Sequence, residues 1–449
     1  MKRNIAMGVM TFISSISLSG ADDLSSMFSK GKASGEIRAF YIDRQYQGSS
    51  GVDTHRNATA LGGHLKFETA DYKGLSFASA FYTTNEIPVL NYTDKDPTLF
   101  GINNESYSML GEAYIKYKYE KTTFKGGRQK LNTPMAGSDD VRMIHNLFNA
   151  YLVVNKDIPN TTLVVGHING FAQGTFGGVY NPAQDNENSL LAVTSGYSAV
   201  DTKNQTGKFL NMGGYAIGQD TAGVSVASAT YKDGAFKAQL WDYYAYDMVN
   251  IVYGQVDYSW TCLLSDKVHP YVSGQIISEN GVGDNLVGDV NGLYGGVMFG
   301  AKVENFNAHI AYSQTTENSA GDLAGGKIGT ANAIITPWGG NPSYTHGMVT
   351  RHQFIAGTKT SKVAASYNFK DLGANLSTSI YYIAFEMHEH SGYGIARTAT
   401  EHGFHIKYSP VSVDNLSLHL RGNFPRKYYE TATGDKGWDE YRVIANYTF

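Results

Sequence analysis

The sequence predicts an all-β protein, namely an 18-stranded antiparallel transmembrane β-barrel with short periplasmic turns, long extracellular loops and an inward-folded third loop. Three observations lead to this prediction: an aromatic-rich and charge-poor composition, strands that alternate in polarity, and connections of two lengths. Aromatic residues make up 13% and charged residues 17% of the 449 residues, whereas a soluble domain averages about 25% charged residues. Beyond the N-terminus, no apolar run reaches the roughly 20 residues that a membrane helix needs.

The charge balance and the cysteine content exclude several other classes of protein. A formal net charge of −4 gives no general attraction to nucleic acid. The single cysteine, Cys262, rules out an internal disulfide framework and a Cys-rich metal site.

The N-terminus predicts secretion. Lys2 and Arg3 precede the apolar residues 5–13, and small residues follow up to Ala21. This order is typical of a secretory signal peptide, so we expect residues 1–21 to be removed and residues 22–449 to form the barrel.

Several segments alternate between apolar and polar residues, as strands with one apolar face do. In the last segment, 440–449, one face carries Val443, Ala445, Tyr447 and Phe449, and the other carries Glu440, Arg442, Asn446 and Thr448, with Ile444 as the exception. The same alternation occurs in 415–424, 403–409, 362–370 and 36–44, although Phe40 and Ile42 blur the last of these. Strands of about 9–11 residues with aromatic ends are typical of membrane-spanning strands.

The connections fall into two length classes. Short turns rich in Gly, Pro, Asp and Asn are expected at 70–74, 119–122, 155–160, 232–234, 263–267, 303–306, 370–373 and 409–414. Long polar stretches lie between them, at 171–220, 278–290, 316–358 and 387–400. Eight short turns with both chain ends on one side imply 18 strands, and a barrel of this size leaves an aqueous channel.

No catalytic signature and no cofactor motif is recognisable, so the sequence does not predict an enzyme. His388 and His390 form an H-x-H pair beside two glutamates, a pattern that suits a metal. The polarity of a surface loop explains the pair at least as well, and we predict no metal site.

Three segments resemble the OprD-type outer-membrane porins. They are the opening 24–44 with its Gly-x-x-Arg strand, the stretch 126–151 with its Pro, Ser-Asp and Arg, and the closing strands 415–424 and 439–449. The third loop departs from the family pattern at Ile144-His145, where Pro is usual, and at Ala150, where Gly is usual. The major outer-membrane porins of epsilon-class bacteria are similar as well. The resemblance implies an 18-stranded barrel in the bacterial outer membrane.

The alternation places charged side chains on the face opposite the lipid. A basic residue on the lipid face costs about 2–4 kcal/mol near the midplane, so we expect these residues in the lumen. The resemblance implies that they form a basic ladder that guides a substrate carboxylate. The predicted ladder consists of Arg38, Arg44, Lys362, Lys407, Arg421 and Arg442, joined by Arg128 at the top of the fifth strand and Arg142 in the third loop.

An acidic side is expected opposite the ladder, where the third loop narrows the channel. We assign it to Ser138, Asp139, Asp140 and Glu440. Rows of unlike charge create a transverse field that orients dipolar solutes. Three alternatives stay open: the lumenal charges only pair with each other and stiffen the wall, Ser138 caps a helix, or the loop acids lie in a solvated turn.

The sequence therefore predicts a porin for small hydrophilic solutes and ions, with a preference for carboxylates or for amino acids and peptides. The alternative is a barrel that acts mainly as an adhesin or surface receptor through its long loops. The expected partners are outer-membrane lipid and small solutes, without nucleic acid or cofactor. A homotrimer is an open expectation, because porin-like barrels are often trimers while no residue identifies an interface.

Overall fold

A computed structural model describes residues 20–46, 54–87, 94–179, 205–319, 321–322, 332–391, 396–431 and 434–449. Within these ranges, no helix is both long and apolar enough to span a bilayer. The predicted signal peptide lies almost wholly outside the described residues and stays a prediction. A short helix, α1 (Leu24–Ser29), precedes the first strand and is capped by Asp23.

The described residues form eighteen long antiparallel strands, as predicted. They are β1 (Lys32–Tyr46), β2 (Thr54–Glu68), β3 (Leu75–Glu86), β4 (Tyr107–Tyr119), β5 (Thr122–Gln129), β6 (Leu147–Asn155), β7 (Thr161–Ala172), β8 (Val224–Asp233), β9 (Phe236–Ala245), β10 (Val249–Ser259), β11 (Val268–Gly281), β12 (Asn291–Val303), β13 (Phe306–Thr315), β14 (Lys359–Asn368), β15 (Leu376–Met387), β16 (Arg397–Tyr408), β17 (Leu416–Arg426) and β18 (Trp438–Thr448). Minor elements are α2 (Met212–Ile217), the two-residue strand Leu210–Asn211 and the hairpin Tyr429–Thr431 with Gly434–Lys436.

The sheet closes on itself, because β1 pairs with β18 over Glu36–Tyr46 in addition to pairing with β2. Closure gives every strand two neighbours, which removes the open edge that lipid cannot solvate. All eight predicted short turns connect consecutive strands at one end of the barrel, and the long stretches connect strands at the other end. The fold predicted from alternation and loop length is therefore confirmed.

The outer face of the barrel is apolar, as expected of strands in contact with lipid. Large hydrophobic side chains such as Leu240, Ile276 and Ile310 are exposed to the extent of 57%, 50% and 60% in the isolated chain. In the membrane these side chains face acyl chains, because their neighbours along each strand point into the barrel.

The residues that blur the alternation lie in the lumen. Phe40, Ile42 and Ile444 share the inward face with Arg38 and Arg442, and all three are buried. They belong to an apolar cluster inside the barrel with residues of two inward-folded loops, namely Leu99, Phe100, Met143 and Ile144. The exceptions to the alternation therefore mark where loops pack against the wall.

A larger apolar cluster fills the lumenal side of β6–β12. Side chains on this wall, including Phe148, Trp241 and Tyr294, pack with α2 and with segments of two loops. One is the third loop, residues 130–146 (L3), and the other is the segment 332–358 of the loop between β13 and β14 (L7). The two loops touch where the Gly137 amide donates to the Trp338 carbonyl at 3.1 Å. The predicted inward fold of L3 is thus observed, and L7 joins it.

Candidate permeation pathway

A cluster of lumenal charges is centred on the carboxylate of Glu440, which is 1% exposed. Its oxygens lie 2.8 Å from Arg44 Nε, 3.0 Å from Arg142 Nη2 and 3.2 Å from Arg442 Nε. A buried charge is tolerated only when it is paired and hydrogen-bonded. This carboxylate therefore holds three guanidinium groups from β1, β18 and L3 together.

The loop segment 94–106, which is distinct from L3, contacts the same cluster. Asp96 is fully buried and lies 3.2 Å from Arg44 Nη1, while Arg142 Nε donates to Thr98 Oγ1 at 3.1 Å. Arg44 and Arg142 are consequently occupied by fixed partners. Their charges are paired within the lumen, as in one of the alternatives left open by the sequence.

Arg38 lies closer to the periplasm on β1 and is also paired. Its guanidinium contacts Glu36 at 2.8 Å and Asp140 of L3 at 2.6 Å, and its Nε donates to Asn446 at 3.0 Å. Burial alone would raise the pKa of Asp140, but Arg38, assisted by His145 and Lys130, holds this pKa well below its usual range. Asp140 therefore anchors L3 to the wall as an anion.

Three basic side chains of the predicted ladder lack such a carboxylate contact. Among the described residues, Arg421 and Lys407 form no ion pair and no side-chain hydrogen bond, and the buried Nε of Arg421 has no partner. Lys362 donates to the His346 carbonyl of L7 at 2.9 Å and lies over the Tyr381 ring. These cations retain the capacity to attract an anion from solution.

Arg442 lies between the arginines that are paired with carboxylates and the cations that have no carboxylate contact. Its Nη2 donates to Asn423 and lies 3.8 Å from Met348 Sδ, so the side chain reaches between β17 and L7. In the sheet it pairs directly with Arg421 of β17. The row Arg442, Arg421 and Lys407 thus leads from the constriction towards the periplasm.

Arg128 does not join the row, and its predicted lumenal position is wrong. It pairs with Ala113 and Asn149 on the outward face, whereas its neighbour Gln129 is buried inside. Its guanidinium is exposed and lies over the Phe209 ring at 4.6 Å. An outward arginine is inexpensive at this position, because the cost on the lipid face falls to about 0–1 kcal/mol near the interface.

The four residues of the predicted acidic side lie in different environments. Ser138 is buried, hydrogen-bonds Asn132 and begins no helix, so neither the solvated turn nor the helix cap applies. Asp139 accepts from the Gly340 amide at 3.2 Å and so contacts L7, and burial raises its pKa. Glu440 lies within the arginine row and not opposite it. Asp140 contacts Arg38 and keeps a side chain that is 34% exposed.

The sequence reasoning missed the acid that positions L7. Glu401 on β16 is fully buried and accepts from the Met348 amide at 2.8 Å, the Thr350 hydroxyl and the Tyr381 hydroxyl. Its place on the inward face of 397–408 follows from the alternation, but the loop that it holds is distant in sequence. Glu401 therefore holds L7 against the inner face of β16, while L3 contacts L7 at Trp338 and Gly340.

A second charged wall was also missed. On β2, β4 and β5, Lys66 lies 3.3 Å from Glu112 and Lys116 contacts Glu68, while Lys125 lies over the Tyr114 ring at 3.9 Å. The signal was present, because Lys66 and Glu68 alternate with Leu65 and Phe67. This wall brings paired charges of both signs to the lumen.

Of three histidines in the inward loops, His145 and His352 are buried and His346 is half-buried. Burial lowers the pKa of His145 in L3 to about 4 and the pKa of His346 and His352 in L7 to about 3. His388 Nε2 lies 3.9 Å from Glu317 beside the predicted H-x-H pair. Within the described ranges, no group of three or more His, Cys, Asp or Glu side chains is arranged to hold a metal ion.

Solved structures with the same fold were identified. The structure of Pseudomonas aeruginosa OpdK with vanillate matches with a TM-score of 0.73 at 14% identity, covering 94% of this chain and 99% of that chain. P. aeruginosa OccK9 (OpdG) matches with a TM-score of 0.73 at 15% identity and the same coverage. P. aeruginosa OccK2 (OpdF) in complex with glucuronate matches with a TM-score of 0.71 at 12% identity, covering 94% and 97%. No curated protein sequence matches significantly.

The family itself is shown by sequence. Residues 88–449 match the model described as outer membrane porin, OprD family. This range contains both inward loops and every basic residue of the pathway except Arg38 and Arg44. The chain therefore belongs to the OprD family of outer membrane porins, which are channels for small solutes in the bacterial outer membrane and not enzymes.

Proposed function

We propose that this channel favours small anions, carboxylates first, and that one lumenal wall guides them. The observation that carries the proposal is a set of basic side chains on the inward faces of β14, β16, β17, β18 and β1, with Arg421 directly opposite Arg442. Its members are Lys362, Lys407, Arg421, Arg442 and Arg38. A guanidinium offers a planar fork that matches a carboxylate, so adjacent arginines present successive binding sites.

Some of these cations are paired with carboxylates and others are not, and this difference supports transport rather than tight binding alone. Glu440, Asp96 and Asp140 neutralise Arg44, Arg142 and Arg38, while Arg421 and Lys407 form no ion pair among the described residues. Conduction requires sites that attract an ion and also release it. A path from a partly neutralised constriction to unpaired cations meets that requirement.

The ligands seen in two structural relatives agree with a carboxylate preference. OpdK was crystallised with vanillate and OccK2 (OpdF) with glucuronate, and both molecules carry a carboxylate. Amino acids and peptides carry this group too and stay within the proposal. Assembly as a homotrimer also stays a prediction.

The proposal is tested with a double substitution, Arg421→Ala with Arg442→Ala. In a planar bilayer with a KCl gradient, we expect the reversal potential to shift towards cation permeation, because two positive charges leave the row. Arg128→Ala is the matched control, since it removes an arginine from the outer face. Equal reversal potentials for the wild-type channel and the double variant would contradict the proposed pathway.

A further inference from the structure

Four side chains of β16 and β17 form a compact basic patch on the periplasmic side of the constriction. They are His405, Lys407, His419 and Arg421, which we call the periplasmic patch. His405 pairs with Arg421 across the two strands, and Lys407 pairs with His419. Directly opposed side chains lie about 5 Å apart at Cβ and diagonal ones about 7 Å, so all four reach one small volume.

The two histidine rings are in direct contact. His405 Nε2 lies 2.8 Å from His419 Nδ1, and the rings stack with centroids 5.1 Å apart and an angle of 14° between their planes. His419 Nε2 lies 3.2 Å from Ser417 Oγ, so the chain of contacts continues to a third polar residue. The two histidines occupy one diagonal of the patch, and the two permanent cations, Lys407 and Arg421, occupy the other.

No carboxylate of the neighbouring strands lies against Lys407 or Arg421 in the described residues. Across β15 their partners are polar, with Ser377 opposite Lys407 and Ser379 opposite His405. On the other side, β18 presents Ile444 opposite His419 and Arg442 opposite Arg421, and Arg442 lies 3.2 Å from Glu440. Asp140 and Glu440, whose charges act on Arg421, already contact other arginines. Lys407 and Arg421, about 7 Å apart, therefore share a site in which neither forms an ion pair.

We infer that the periplasmic patch is a binding subsite for a small, doubly charged oxyanion of the phosphate type. Such an anion supplies the two negative charges that the patch lacks, and its tetrahedral oxygens accept hydrogen bonds from several directions at once. A monocarboxylate neutralises only one of the two cations. The inference rests on the proposed anion pathway and names a class of anion that pauses at its periplasmic end.

A transition-metal site is the competing interpretation, since two imidazoles lie close together. The surroundings disfavour it, because Arg421 and Lys407 repel a divalent cation and no carboxylate completes the ligand set. Zn²⁺ is therefore used as the contrary probe.

The test measures single-channel chloride current in a planar bilayer at pH 8, where phosphate is mainly dianionic, while inorganic phosphate is added. We expect phosphate to reduce the current in a saturable manner and to do so at lower concentration than acetate. Lys407→Gln should raise the half-blocking phosphate concentration about tenfold, and His419→Asn about threefold, because charge-assisted hydrogen bonds are the stronger ones. His309→Asn, a lumenal histidine on β13, is the matched control and should behave as wild type.

Four outcomes decide between the interpretations. Weaker phosphate block in Lys407→Gln and His419→Asn, with His309→Asn unchanged, supports the subsite. Equal half-blocking concentrations in all four proteins would overturn it. So would a Zn²⁺ block that His405→Asn abolishes when phosphate has no effect. A wild-type protein without chloride current would instead refute the proposed pore, which separates the two failures.

Discussion

Two regions of the barrel interior are built in different ways. On β6–β12 large apolar side chains such as Trp241, Tyr243 and Ile251, each at most 1% exposed, fill most of the inward face, with Gln275 and Glu279 among them. On β14–β18 and β1 the inward positions carry Lys362, Glu401, Arg421 and other charged groups. We call these the packed wall and the charged wall.

The difference bears on the route of the proposed pathway. The packed wall forms one apolar core with L3, α2 and L7, and protein cores are close-packed with few voids. The charged wall keeps polar groups in the lumen, where water or paired charges must satisfy them. The proposed pathway therefore follows the charged wall.

The largest expected effect concerns stability on the packed wall. Trp241→Ala removes a fully buried ring that stacks on Tyr243 at 5.8 Å, and should lower the free energy of unfolding by about 3–5 kcal/mol. Urea unfolding, followed by the mobility shift of folded and unfolded barrel on a gel, measures it. Ion selectivity should not change.

Leu240→Ala provides the matched control on the adjacent, outward position of the same strand. Because Leu240 is 57% exposed in the isolated chain, its loss creates no lumenal cavity and should cost less. An equal cost for the two variants would contradict the packed wall.

A smaller effect is expected where the two walls meet. Deletion of residues 136–142 removes the part of L3 that carries Asp140 and Arg142 into the lumen. Single-channel conductance in KCl should rise by about twofold, since electrostatic and steric barriers at a constriction limit ion flow. A conductance equal to or below wild type, in a protein with normal heat-dependent gel mobility, would contradict a constricting L3.

The fold was predictable because its signals are local. Turn residues at 119–122 or 303–306 specify hairpins, and alternation over about ten residues specifies a membrane strand. The same alternation placed Arg38, Arg421 and Arg442 on the lumenal face correctly.

The remaining parts of the site depend on contacts between residues that are distant in sequence. Glu401 holds Met348 and Thr350 of L7, a contact across about fifty residues that no periodicity encodes. Phe40 and Ile444 appear as errors of alternation until L3 and segment 94–106 are packed against them. Arg128 was misplaced because one residue decides the face at a strand end, and Gln129 takes the inward position.

The most direct test of the central claim, an open path along the charged wall, is the conductance of the purified protein in a planar bilayer. We expect stepwise current increases in KCl as single channels insert. A silent barrel, with insertion verified independently, would contradict the pathway and favour the alternative of an adhesin or surface receptor.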